Sequence, residues 1–183
     1  MYTLKGRTAV IAGATGHVGA GAVRMLTAAG MNVVMVTHNM ADAGRLIAEV
    51  EDNPGTCIAL SNEDGDGAVY GEVYRRFGSV DVIIPNQGAA ARRQDLSDIT
   101  EEELDGKLHH QITGSFTMVQ KAIPYLKKSR AGRVILVSGT GAENGLLEEG
   151  LLECAARGGV ISMTRYLARE LAVQGITVNC IAR

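Results

Sequence analysis

Residues 12–23 read AGATGHVGAGAV and follow directly on the apolar run Thr8–Ala12. Gly13, Gly16 and Gly19 recur at every third position, between this predicted strand and a predicted amphipathic helix. Such a turn lets the backbone approach a pyrophosphate, and the helix N-terminus presents free N–H groups to its charge. A tight turn without a ligand is the alternative, but the strand–turn–helix context favours dinucleotide binding. The residues of the turn that we expect to contact the dinucleotide are Gly13, Thr15, Gly16, His17, Val18 and Gly19.

Short apolar runs alternate with longer helical patterns along the whole chain. The predicted strands are Thr8–Ala12, Asn32–Val36, Thr56–Leu60, Asp81–Pro85, Arg133–Val137 and Thr177–Ile181. The predicted helices are Val18–Ala29, Ala41–Glu51, Asp66–Phe77, Glu101–Lys128 and Glu149–Gln174. Because most of the strands are continuous apolar runs, we expect a parallel sheet covered by helices on both faces. The alternation predicts one α/β domain over residues 1–183, a Rossmann-type doubly wound sheet of about six strands in the order 3-2-1-4-5-6.

Composition excludes several classes of function. A net charge of −2 provides no basic surface for nucleic acid, and the absence of tryptophan argues against base-stacking platforms. No apolar run is long enough to cross a membrane, so we expect a reduced, cytoplasmic setting. Cys57, Cys154 and Cys180 are too widely spaced to indicate a zinc site or a disulfide framework. Cys57 and Cys180 lie in apolar runs and are expected to act as small core residues.

The end of the second predicted strand bears on the choice of dinucleotide. A carboxylate at this point would bind the ribose 2′-hydroxyl of NAD and repel the 2′-phosphate of NADP. Thr37, His38 and Asn39 occupy the stretch, and none of them is acidic. The pattern therefore favours NADP over NAD, with His38 or Arg45 facing the phosphate. The alternative for His38 is an exposed loop position.

Five segments in the same order resemble the short-chain dehydrogenase/reductase family over nearly the whole chain. They read LKGRTAVIAGATGHVG, RRFGSVDVIIPNQGAA, ITGSFTMVQKAIPYL, AGRVILVSGTG and GGVISMTRYLARELAVQGITVNCIA. The resemblance implies an NAD(P)-dependent oxidoreductase that forms a homo-oligomer and binds the dinucleotide also through Asn86 and Gly88 of PNQG. The chain ends directly after the sixth predicted strand, so the family's seventh strand is expected to be missing.

The family's mechanism uses a tyrosine, a lysine four residues later, a serine and an asparagine. Matched motif by motif, the asparagine position falls on Gln111 and the serine position on Gly139, with Ser138 just before it. The tyrosine and lysine positions fall on Glu153 and Arg157. Two hypotheses follow. One is an oxidoreductase that uses an unfamiliar proton donor; the other is an inactive dinucleotide-binding protein that serves as a sensor, a scaffold or a subunit.

Glu153 and Arg157 are spaced to pair on one helix. An adjacent guanidinium lowers the pKa of a carboxyl group, whereas a proton donor at neutral pH needs a raised pKa. We therefore predict a structural ion pair in place of acid–base catalysis. His109 or His110 is a further candidate for facing the cleft. Ser138 is a candidate for taking over the serine role, and the carboxylates Glu148, Glu149 and Glu153 are expected to form a solvated face.

Overall fold

The computed structural model describes residues 3–61, 66–88 and 93–182. The strands are β1 Thr8–Ala12, β2 Asn32–Val36, β3 Cys57–Leu60, β4 Val82–Pro85, β5 Arg133–Ser138 and β6 Thr177–Ala182. The helices are α1 His17–Ala28, α2 Met40–Glu49, α3 Asp66–Phe77, α4 Glu101–Leu108, α5 Gly114–Leu126, α6 Gly141–Asn144 and α7 Leu151–Ala172. A 3₁₀ turn at Leu96–Asp98 and a π-helical segment at His109–Thr113 complete the described elements.

The six strands form one parallel sheet in the order β3-β2-β1-β4-β5-β6, which confirms the predicted order. Side chains alternate between the two faces of the sheet. Val10 and Val34 contribute to one core cluster, whereas Ile11 and Met35 contribute to the other. Helices therefore cover both faces of the central strands, as the continuous apolar runs predicted. The edge strands differ, because β3 is half-buried throughout and most of β6 is exposed or half-buried.

The predicted long helix Glu101–Lys128 is wrong as a single element. The chain forms α4, then the π-helical segment, then α5, which ends at Leu126. A π-helical turn is a local departure from the regular hydrogen-bond pattern, and it is found disproportionately at functional sites. Here it carries Gln111, which is buried.

Two cysteines pack against the core as predicted. Cys57 contacts one core cluster and Cys180 the other, and both are half-buried. Burial raises the pKa of the Cys57 thiol to about 11 and also raises the pKa of Cys180. Both thiols therefore stay protonated near neutral pH and behave as small apolar groups.

The parallel register brings the carboxyl ends of neighbouring strands to one edge of the sheet. Ala12, at the end of β1, is aligned with Pro85, at the end of β4. The order of strands reverses between these two, and ligands of open α/β sheets bind in the crevice outside such a point. The segments that follow β1, β4 and β5 therefore form the candidate site.

Candidate functional site

The turn after β1 can be built only with glycine at two positions. Gly13 has φ +60, and a Cβ atom there would lie 1.8 Å from the backbone oxygen of Asn86. The Asn86 side-chain nitrogen donates to the Gly13 carbonyl at 3.0 Å, which joins the end of β4 to the turn. A Cβ atom on Gly19 would lie 2.3 Å from the same Gly13 carbonyl oxygen. The glycines thus allow three backbone segments to meet.

The start of α1 is open to a ligand. Gly16 is the residue before the helix, and because it has no side chain it cannot cap the first N–H groups. Gly16 and His17 are exposed, and Thr15 and Val18 are half-buried. A helix N-terminus of this kind, beside closely packed glycines, suits a pyrophosphate. These residues therefore fit a dinucleotide.

The start of α2, just after β2, carries one acidic and one basic side chain, Asp42 and Arg45. Asn39 accepts a hydrogen bond from the backbone N–H of Asp42 and donates to the Asp42 carboxylate at 2.7 Å. Arg45 also contacts that carboxylate in an exposed ion pair. Of the two cations proposed to face a 2′-phosphate, Arg45 is thus engaged by Asp42, and His38 is exposed. Asp42 and Thr15 line one cavity of about 230 Å³.

The four positions that the resemblance assigned to catalysis meet in one buried cluster, which we call the slot cluster: Gln111, Gly139, Glu153 and Arg157. Arg157 Nε lies 2.5 Å from Glu153 Oε1, so the predicted ion pair is confirmed. Gln111 Nε2 donates to the same carboxylate oxygen at 3.2 Å. The Glu153 residue is only 1% exposed, which sequence spacing had not indicated.

Lys107 contacts the slot cluster from α4, and the sequence pattern did not predict this contact. Its Nζ contacts Glu153 Oε2, although the two residues lie on different helices, α4 and α7. The lysine side chain is 12% exposed, so a second cation reaches the same buried carboxylate. Sequence spacing gave no signal for this contact, because it joins residues on two different helices. Two cations and one amide thus surround the Glu153 carboxylate.

Two glycines make room for these side chains. A Cβ atom on Gly139 would lie 2.0 Å from Arg157 Nη1, so the guanidinium occupies the space beside the serine position. A Cβ atom on Gly88 would lie 2.6 Å from Gln111 Nε2. Glycine at these two positions therefore leaves the space that the Arg157 and Gln111 side chains occupy.

Glu149 corrects the expectation of a solvated acidic face. Its carboxylate lies 3.3 Å from Arg157 Nη1 and accepts from the Gly141 backbone N–H at 3.3 Å. Glu149 is half-buried and Glu153 is buried, whereas Glu148 is exposed. Only Glu148 of the three carboxylates is thus exposed, and Arg157 contacts the other two.

The remaining catalytic candidates do not enter the slot cluster. Ser138 is buried and its hydroxyl donates to the Arg157 backbone carbonyl at 3.0 Å, so its proton is already used. His109 and His110 are exposed, and His109 lies in a surface depression with Glu101, Glu102 and Asp105. Exposure agrees with the alternative of a surface position, and whether either histidine faces the cleft stays a prediction.

The family model described as "short chain dehydrogenase" matches residues 7–183. The chain belongs to this family. A 3-oxoacyl-[acyl-carrier-protein] reductase of Staphylococcus aureus is 31% identical over 182 residues, which cover 96% of this chain and 73% of the reductase. An L-fucose dehydrogenase of Oryctolagus cuniculus is 28% identical, over 97% of this chain. The chain spans only 62% of the length of that dehydrogenase.

Solved structures agree on the fold of this family. The NAD⁺-bound xylitol dehydrogenase superposes with a TM-score of 0.91 at 19% identity, over 99% of this chain and 71% of that one.

Among the described residues of this chain, no cluster of three or more His, Cys, Asp or Glu side chains is placed to hold a metal ion. No helix within the described ranges is long and apolar enough to span a bilayer.

Replacement of Gly139 by the serine of the family, with no other change, is expected to destabilise the protein. Gly139→Ser places a side chain on the Arg157 guanidinium, so we expect the free energy of unfolding to fall by about 1–3 kcal/mol. Urea denaturation measures the change, with Gly158→Ala as the control, because the nearest atom to that Cβ is an ordinary contact at 3.9 Å. The loss should shrink when Arg157→Ala is added. An equal loss in both backgrounds would show that Arg157 does not fill this space.

Proposed function

We propose that this chain binds a nicotinamide dinucleotide at the glycine turn and does not carry out the family's tyrosine-dependent proton transfer. The observation that carries the proposal is the state of Glu153, at the position that the resemblance assigns to tyrosine. Its carboxylate is buried and contacts both Lys107 and Arg157. The protein would then act as a sensor, a scaffold or a subunit.

Glu153 is poorly suited to give a proton to a substrate. Lys107 and Arg157 contact its two carboxylate oxygens, so both oxygens are already engaged by cationic side chains. A general acid must also come within hydrogen-bond reach of the reacting oxygen, and a residue that is 1% exposed is enclosed by protein.

The dinucleotide-binding part of the proposal rests on the other half of the site. When bound, a nicotinamide dinucleotide supplies hydride chemistry. This chain would hold it through the backbone of Gly13, Gly16 and Gly19, with Asn86 fixing the turn. A bound NAD⁺ in the similar xylitol dehydrogenase supports the same class of ligand. NADP is preferred because no carboxylate follows β2 directly and His38 is exposed there.

A fluorescence titration with NADPH and NADH tests the binding. We expect saturable binding, with NADPH the tighter ligand. His38→Ala is expected to weaken NADPH binding and leave NADH binding unchanged, because only NADPH carries the 2′-phosphate. Failure of both dinucleotides to bind would overturn the proposal. Equal loss of NADPH and NADH binding in His38→Ala would overturn the assignment of His38.

An active oxidoreductase is the second candidate. One observation favours it, the contact of Lys107 with Glu153. Through this contact a lysine from another helix lies beside the position that the resemblance assigns to tyrosine. On this hypothesis Glu153 would exchange the proton itself. Turnover of a carbonyl substrate that disappears in Glu153→Gln would favour it over the inactive alternative.

A further inference from the structure

The candidate site divides into two halves at the point where the strand order reverses. One half follows β1 and β2 and contains the glycine turn. The other follows β4 and β5 and contains the slot cluster. A dinucleotide lies across this point, with its pyrophosphate at the start of α1 and its adenosine ribose beside the end of β2. The remaining mononucleotide must then lie over the β4–β5 half.

In the part of the β4–β5 half that the structure describes, the polar side chains of the slot cluster are already engaged by one another or by their neighbours. Gln111 donates to Glu153, and Arg157 contacts both Glu153 and Glu149. The Ser138 hydroxyl donates to the Arg157 backbone. A ligand group that entered here would have to break one buried hydrogen bond or ion pair for each one that it formed. The exchange would yield little net binding free energy.

Space in this half is filled as well. The Arg157 guanidinium lies over Gly139, and the Gln111 side chain lies over Gly88. In contrast, Gly13 and Gly16 are exposed at the turn. The exposed start of α1 therefore lies on one side of the site, and the filled slot cluster lies on the other.

We infer that this chain recognises the adenosine diphosphate part of its ligand, and that the nicotinamide riboside adds almost nothing to affinity. The inference rests on the proposed function and specifies its ligand class. ADP-ribose and its 2′-phosphate derivative should then serve as well as the corresponding dinucleotides. Oxidised and reduced dinucleotides should also bind alike, because the described polar side chains of the slot cluster are engaged with one another and not with the redox-active ring.

Isothermal titration calorimetry on the unmodified chain tests this inference. The matched pairs are ADP-ribose with NAD⁺, and 2′-phospho-ADP-ribose with NADP⁺, and nicotinamide mononucleotide is the third arm. We expect dissociation constants within about threefold inside each pair, which is less than 1 kcal/mol, and no binding of the mononucleotide.

Each outcome separates the inference from the proposed function. A dinucleotide that binds tenfold or more tightly than its ADP-ribose partner would overturn the inference and leave dinucleotide binding intact. Saturable binding of nicotinamide mononucleotide alone would also overturn it. Failure of the dinucleotides and of both ADP-ribose compounds to bind would overturn the proposed function, and the inference with it.

Discussion

Glu153→Ala is expected to lower the free energy of unfolding by about 3–5 kcal/mol. Removal of one partner of a buried ion pair is costly, because it takes a counter-charge away from the buried groups that it contacted. Here the substitution withdraws the carboxylate from two cations, Lys107 and Arg157, and from the Gln111 amide. Urea denaturation followed by circular dichroism measures the loss, as a lower midpoint at an unchanged slope.

The exposed pair Arg24–Glu49 provides the control for this variant. Both of its side chains are 51% exposed, and such pairs contribute about 0–1 kcal/mol. Glu49→Ala should therefore change the unfolding free energy by less than about 1 kcal/mol. A second comparison is Lys107→Met, which removes one cation and leaves Glu153 paired with Arg157. If Glu153→Ala costs no more than Glu49→Ala, the slot cluster does not hold the helices together.

Gly13→Ala is expected to weaken dinucleotide binding by about tenfold or more. The new Cβ atom would fall 1.8 Å from the Asn86 backbone oxygen, and the residue would have to keep φ +60. The turn must therefore move, which shifts the start of α1 away from the pyrophosphate. Strain and overpacking together are also expected to cost about 2–4 kcal/mol of stability. Titration with NADPH and urea denaturation measure the two effects.

Gly21→Ala is the matched control from the same glycine-rich stretch. A Cβ atom built on Gly21 meets no described atom within 4 Å beyond its chain neighbours and the backbone of its own helix, α1. Alanine favours helix over glycine by about 1 kcal/mol, so this variant should bind normally and unfold no more easily. Equal NADPH affinity in Gly13→Ala and Gly21→Ala would contradict the assignment of the turn as the binding site.

The sheet could be predicted from sequence because its pattern is local. The runs Thr8–Ala12 and Asn32–Val36 have the predicted bounds, and the strand order follows from the βα alternation. The break in the helix after Leu108 could not be predicted. Hydrophobic periodicity reports which residues face the core, and a single π-helical turn changes that pattern too little to be seen.

The chemistry of the site was only partly contained in the sequence. The Glu153–Arg157 pair follows from helical spacing, because both residues lie on α7. The contact of Lys107 with Glu153 joins residues 46 positions apart and depends on the packing of α4 against α7. Burial of Glu153 likewise depends on tertiary structure. The periodicity of one helix carries no information about which residue of a neighbouring helix packs against it.

We propose that a bound dinucleotide finds no proton donor at Glu153. A single-turnover measurement tests this, in which NADPH or NADH is bound to saturation and its absorbance is followed after addition of a panel of aldehydes and ketones. We predict that the absorbance does not change with any carbonyl compound, in the unmodified chain and in Glu153→Gln alike. Stoichiometric oxidation of the dinucleotide by the unmodified chain, lost in Glu153→Gln, would show instead that Glu153 supplies the proton.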